Sequence, residues 1–331
     1  MKSLKNRGIQ VFGLASIGLA CAASALTPAC AETPTRECRV GADCATGVCG
    51  DDGLCVREGA SGTDSGIASD APMSSDGPTS DAPAGDSSIN GCVPNKDGTI
   101  TTAEVPIAAG LHATYKIGTN ENVLTAGVTT GDAGGKRTWD FSAALASDQS
   151  VIVETQSLKG KWYETKFAGA TYASKLSVSK DLLGVFETSP GALLLRGVVS
   201  PTESSSGTDL TYTPAVSVLK FPLTKGSTWT TNAAASGKAA GVDLAFFPTS
   251  EEYVSKVDAE GTLVTPLGTF DVLRVQVLLT RTVGTGFTTV TTVRTFAFVT
   301  ECYGTIASVT SAKNEPSVEF THAAEIRRIS P

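Results

Sequence analysis

Val318-Glu319-Phe320-Thr321-His322-Ala323-Ala324-Glu325-Ile326-Arg327-Arg328-Ile329 is the stretch from which the fold is read. Val318, Phe320, Ala324 and Ile326 fall on one face, and Glu319, Thr321, Glu325 and Arg327 on the other. A period of two is what a strand with one wet side requires. The same β-branched texture, broken by turn residues, runs back through 151–153, 162–167, 193–199, 210–219, 253–257, 270–281, 288–300 and 305–309. Between these runs stand turn signals: Ser189-Pro190-Gly191, Pro266-Leu267-Gly268, Gly284-Thr285-Gly286 and Asn314-Glu315-Pro316. Strands joined by short turns must run antiparallel, and no amphipathic pattern of ten or more residues intervenes to carry a parallel crossover. The best helix candidate is 233–241, weakened by Gly237 and Gly241. Residues 92–331 therefore read as all-β, an antiparallel half-barrel or β-sandwich.

Upstream the composition changes. Every Trp and Tyr, and every Phe except Phe12, lies beyond residue 92. Residues 57–91 hold only Ile67, Met73 and Ile89 as large aliphatics among Ser, Asp, Gly, Ala and Pro, too little apolar surface to offset backbone ordering. They read as a disordered acidic linker with a root-mean-square span of about 30 to 35 Å if Gly/Ser-like, lengthened by its prolines. Residues 32–56 carry Cys38, Cys44, Cys49 and Cys55 and almost no large apolar residue, so disulfides are the means of ordering them. Residues 1–31 have a basic start in Lys2, Lys5 and Arg7, an apolar middle and a small-residue end, the layout of an export signal. The mature chain is thus expected outside the cytoplasm, secreted or as a cell-surface lipoprotein.

Processing has two outcomes. Ala29-Cys30-Ala31 fits cleavage before Glu32, while Cys21 and Cys30 each resemble the lipidated cysteine of bacterial lipoproteins. Lipidation at Cys21 leaves an odd set of other cysteines, whereas processing near residue 30 leaves Cys38, Cys44, Cys49, Cys55, Cys92 and Cys302, an even one. Within that set Cys92 pairs with Cys302, tying the start of the large domain to a strand near its end. The formal charge moves from −7 to −10 once the leader is gone, and most of that lies before residue 92. A nearly neutral main domain with no basic stripe argues against nucleic acid as a partner.

Few residues offer chemistry. The two histidines, His112 and His322, cannot build a three-His metal site, and His322 reads as a packed or edge residue rather than a base. HExxH, G-x-S-x-G and phosphate-loop motifs are missing, so the common hydrolase and nucleotide readings fall away. Asn95, Asp97 and Glu104 match the second half of a calcium loop, a weak Ca²⁺ candidate whose first ligand position is Val93. No other cofactor is expected. Asp258 and Glu260 form a carboxylate pair, the basis of an alternative reading as a hydrolase.

The four-cysteine unit beside its Ser/Asp-rich linker resembles short disulfide modules in secreted proteins and lipoproteins of gliding soil bacteria. Thr138-Trp139-Asp140-Phe141-Ser142, Phe221-Pro222-Leu223 with Gly226-Ser227-Thr228-Trp229, Thr265-Pro266-Leu267-Gly268-Thr269-Phe270-Asp271 and Cys302-Tyr303-Gly304-Thr305-Ile306 are similar, in that order, to uncharacterised β-rich envelope domains. Some of those resemble the half-barrel of lipoprotein carriers, and the resemblance brings no catalytic residues. It implies a non-enzymatic binding or structural role at the cell surface. The expected partner is an envelope protein, a glycan or an apolar ligand, with membrane contact only through a lipid anchor.

Overall fold

The computed structural model describes residues 92–105, 107–129, 135–177 and 181–331. The leader, Cys21, Cys30, the four-cysteine module and the linker lie outside the described residues. The strands are β1 (Thr99–Ile100), β2 (His112–Asn122), β3 (Val128–Thr129), β4 (Arg137–Asp140), β5 (Gln149–Gln156), β6 (Tyr172–Lys175), β7 (Leu183–Ser189), β8 (Ala192–Val199), β9 (Asp209–Lys220), β10 (Leu223–Thr224), β11 (Thr228–Ala239), β12 (Val242–Asp243), β13 (Thr249–Val264), β14 (Thr269–Val283), β15 (Thr289–Thr300), β16 (Gly304–Ser311) and β17 (His322–Ser330). Among the described residues the only helical pieces are two 3-10 turns, Thr102–Glu104 and Glu164–Lys166.

The all-β antiparallel class stands. Starting at β2, the sheet runs through β5, β6, β7, β8, β9 and β11, and from the other side of β2 through β17, β16, β15, β14 and β13. Pairing of β11 with β13 joins the two arms, so twelve strands form a closed ring with antiparallel neighbours throughout. The sheet therefore goes further than an open half-barrel, and closure removes the exposed edges such a form would leave.

β13 shows how the ring is made. Its odd-numbered residues from Thr249 to Leu263 are all buried, an alternation sustained over the full strand. A bulge between Val257 and Ala259 changes what that alternation means. Before it, Tyr253 and Val257 join Leu279 and Val275 in the cores that fill the lumen. After it, Ala259 and Leu263 join Trp139, Phe141, Phe296 and Phe298 in a second core on the outer face. The first half of β13 pairs with β11, and the second pairs in parallel with β4, which carries Trp139 over the outside of the sheet. Gly261 makes this possible, because a Cβ there would lie 1.8 Å from the Arg137 carbonyl oxygen.

Two expectations fail here. Residues 233–241 are not helical but fall largely within β11, whose alternating burial continues through the Ala run despite its helix propensity. The 162–167 run is not a strand. Tyr163 and Phe167, four apart across the 3-10 turn, both bury against the outer face of β6–β8.

The ring has two distinct ends. At one, Cys92 is disulfide-bonded to Cys302 in the β15–β16 turn, the Cys302 N–H donates to Glu104 O (2.6 Å), and β1 pairs with β10. Ile100 and Val105 bury there against Leu223, Trp229 and Val299, closing that end. The β14–β15 hairpin and the β12–β13 connection form the opposite end.

Candidate functional site

Cross-strand register assigns the inward face: Val275 pairs with Ala297, Ala297 with Ser308, Ser308 with Arg327 and Arg327 with Ile117. The last strand thus points Glu325 and Arg327, its wet face, into the barrel, while Ile326 and Arg328 bury in the outer layer. Val257, Val275 and Val299 line the lumen with 0% exposure, so no water-sized space touches them. Phe186, Val218, Val277 and Ala297 pack on the same cores yet are only partly buried. Exposure on the inner surface of a closed ring comes from space inside it. The inner face is close-packed near the Cys92 end and less tightly covered where β7, β9, β14 and β15 present Phe186, Val218, Val277 and Ala297.

That part of the inner face is mixed in character. Beside the apolar group on the same inner face, Thr295 pairs with Val277 and Ser308 with Ala297, and Arg327 and Tyr115 follow on the next strands, all half-buried. Tyr115 donates its hydroxyl to Thr305 O (2.9 Å). Burial pushes its phenol pKa up, and the Arg327 charge works against that, so it stays a neutral donor. The Arg327 guanidinium donates to Glu325 Oε1 (2.7 Å) through Nε, and to Leu176 O through Nη2. The second bond ties the chain after β6 to β17, across the intervening β5 and β2. Such a surface suits a ligand with an apolar body and a polar group.

A second polar cluster lies toward the hairpin end. Arg281 donates to Glu251 Oε1 (2.7 Å from Nε), and the Tyr253 hydroxyl donates to the other carboxylate oxygen. All three side chains are buried. Desolvation raises the Tyr253 and Tyr212 pKa values, with the Glu251 charge adding to both, so these phenols remain protonated. This cluster is a satisfied ion pair set among apolar side chains.

The residues singled out in the sequence are dispersed. His112 and His322 are exposed at the starts of β2 and β17, and His322 Nδ1 is 3.4 Å from Asn122 Oδ1. Asp258 is held by Arg274 (2.7 Å) and Glu260 by Lys225 (3.5 Å), so the pair does not converge on a shared cleft. Asn95 Nδ2 donates to Glu104 Oε1 (2.6 Å), Thr99 N–H donates to Asp97 Oδ1 (2.7 Å), and Glu104 Oε2 accepts from Thr101 N–H (2.7 Å). Among the described residues no three His, Cys, Asp or Glu side chains gather as a metal-holding group. On the outer face, an open groove of 370 Å³ is lined by polar groups including Thr213, Asn232, Ser250, Glu252 and Thr282. Sequence reading missed Phe246 and Phe287, both protruding from turns; the signal for Phe287 was its place directly after Gly284-Thr285-Gly286.

No protein-family model and no curated protein matches the chain. Among solved structures it is similar to a candidate lipoprotein from Parabacteroides distasonis, with 10% identity, a TM-score of 0.33, and coverage of 70% of this chain and 97% of that one. That likeness is too distant to carry function.

Proposed function

We propose that this chain is an extracytoplasmic, non-enzymatic binding protein that holds an amphiphilic ligand in the lumen of its barrel. The observation that carries the reading is the partial exposure of Phe186, Val218, Val277 and Ala297 on the inner surface of a closed ring, with Thr295, Ser308 and Arg327 beside them on the same face. The ligand's apolar body lies against the first group and its polar group meets the hydroxyls and guanidinium. The export signal at the start of the sequence supports the compartment. Removing about 100 Å² of apolar ligand surface from water contributes about 2.5 kcal/mol, so affinity rises with the length of the apolar body.

A fluorescent fatty-acid probe titrated into the protein tests this. Binding is expected for the wild type and is lost in Ala297→Phe, which fills the space without adding charge. Equal binding by both proteins, with unchanged unfolding midpoints, would remove the lumen as the site.

A further inference from the structure

Phe287 is fully exposed and Phe246 is 79% exposed, the two most solvent-accessible large apolar side chains among the described residues. They belong to different connections: Phe246 precedes β13, and Phe287 lies in the β14–β15 hairpin. A hydrogen bond from Gly284 N–H to Pro248 O (2.9 Å) joins these connections, so both rings stand on one structural unit. Gly284 adopts φ +101° and Gly286 φ +77°, backbone that favours glycine and lets the hairpin project Phe287 outward. Neither 244–250 nor 282–293 contains an ionisable residue. In these two loops the other exposed residues are Ala245, Pro248, Ser250, Thr285, Gly286, Thr288, Thr289 and Val290, and the adjoining 312–317 connection, bonded to Thr292 through Asn314, adds exposed Lys313.

We infer that this end of the barrel docks on a lipid bilayer, with Phe246 and Phe287 entering its interface. Three observations select a bilayer over a protein. The rings protrude as separate knobs, which a soft medium accepts without a matching pocket. The absence of charge through both loops removes the largest penalty for entering an apolar medium. The exposed threonines flanking Phe287 supply hydroxyls at headgroup depth, where neutral polar groups are tolerated. The docking end also lies at the opposite end of β15 from the Cys92–Cys302 disulfide: β15 separates the hairpin from Cys302 by 12 residues, about 40 Å at the usual strand rise. Membrane contact would then not depend on an acyl anchor at Cys21 or Cys30.

The test uses the full chain with Cys21→Ser and Cys30→Ser, so that no acyl group is attached, and vesicles of equal parts phosphatidylethanolamine and phosphatidylglycerol. Phe287→Trp is expected to shift its emission to the blue on vesicle addition and to be quenched by lipids brominated along the acyl chain. Lys220→Trp, exposed at the opposite end, is expected to stay unquenched. The double substitution Phe246→Ser with Phe287→Ser is expected to weaken vesicle binding about tenfold or more, the scale set by burying two phenyl rings. Because both rings are exposed, its unfolding midpoint should match the wild type. An unquenched Phe287→Trp, or vesicle binding unaffected by the double substitution, would overturn the inference. Ala297→Phe is expected to bind vesicles normally, so failure of the lumen reading and failure of this one are separately visible.

Discussion

Arg274 sits with its guanidinium 5.5 Å from the Trp139 ring centroid and 4.2 Å from that of Phe296, and donates to Asp258, Glu319 and Thr125 O. A buried arginine is tolerable because each face and edge of the fork is used. Burial works to raise the Glu319 pKa, but hydrogen bonds and charge from Arg274, with donors from Thr125 and Arg137, hold it below the ordinary carboxylate value. A depressed folded-state pKa gives stability that is present above the unfolded value and lost as pH falls through the folded one. The urea midpoint should therefore fall as pH drops below about 4.3, the ordinary glutamate value, and Arg274→Ala should flatten that dependence. At neutral pH the same substitution is expected to cost about 3 to 5 kcal/mol, since it removes the paired guanidinium from Asp258 and leaves Glu319 only Arg137 and Thr125. None of this was legible in the sequence, where Arg274 is one basic residue inside an apolar run. Charges that find partners 16 and 45 residues away leave no local pattern.

At the scale of elements, β13 separates what sequence can record from what it cannot. The 253–257 run announces a strand, and the strand is there with its alternation extending from Thr249 to Val264. Yet alternation records burial, not the layer that does the burying, and the Val257/Ala259 bulge moves the odd positions from lumen to outer core without interrupting the pattern. Gly261 is the residue on which the second layer depends. Gly261→Ala is expected to destabilise the fold by about 1 to 3 kcal/mol by pushing β4 off the sheet. Loss of near-ultraviolet signal from Trp139 would locate the damage, and an unchanged urea midpoint would show that β4 adjusts freely. The 233–241 stretch went wrong for the reverse reason: Ala favours helix locally, but pairing with both β9 and β13 decides the outcome.

For the whole molecule, the antiparallel class was readable from turn signals because each hairpin is local. Closure was not, since it rests on β11 meeting β13 after β9 and β14 have taken their other edges. The mixed inner face was half legible. The sequence marked Glu325 and Arg327 as a wet face, and the ring turns that face inward. At the Cys92 end the disulfide spans 210 residues, and on a loop-entropy view such a link is worth about 4 to 5 kcal/mol. Cys92→Ser with Cys302→Ser is expected to lose stability on that scale. Hydrogen exchange should show the Ile100 to Val105 segment opening first, because beside this bond only the two-residue β1–β10 pairing, a few single hydrogen bonds and its apolar contacts hold it.

The lumen is the claim on which the functional reading turns, and native mass spectrometry of protein purified from its own cells reads it most directly. The expected spectrum shows the wild type carrying a small amphiphile that leaves on denaturation, and Ala297→Phe running at the bare polypeptide mass. A wild-type protein at its bare mass, or a cargo retained equally by Ala297→Phe, would contradict it.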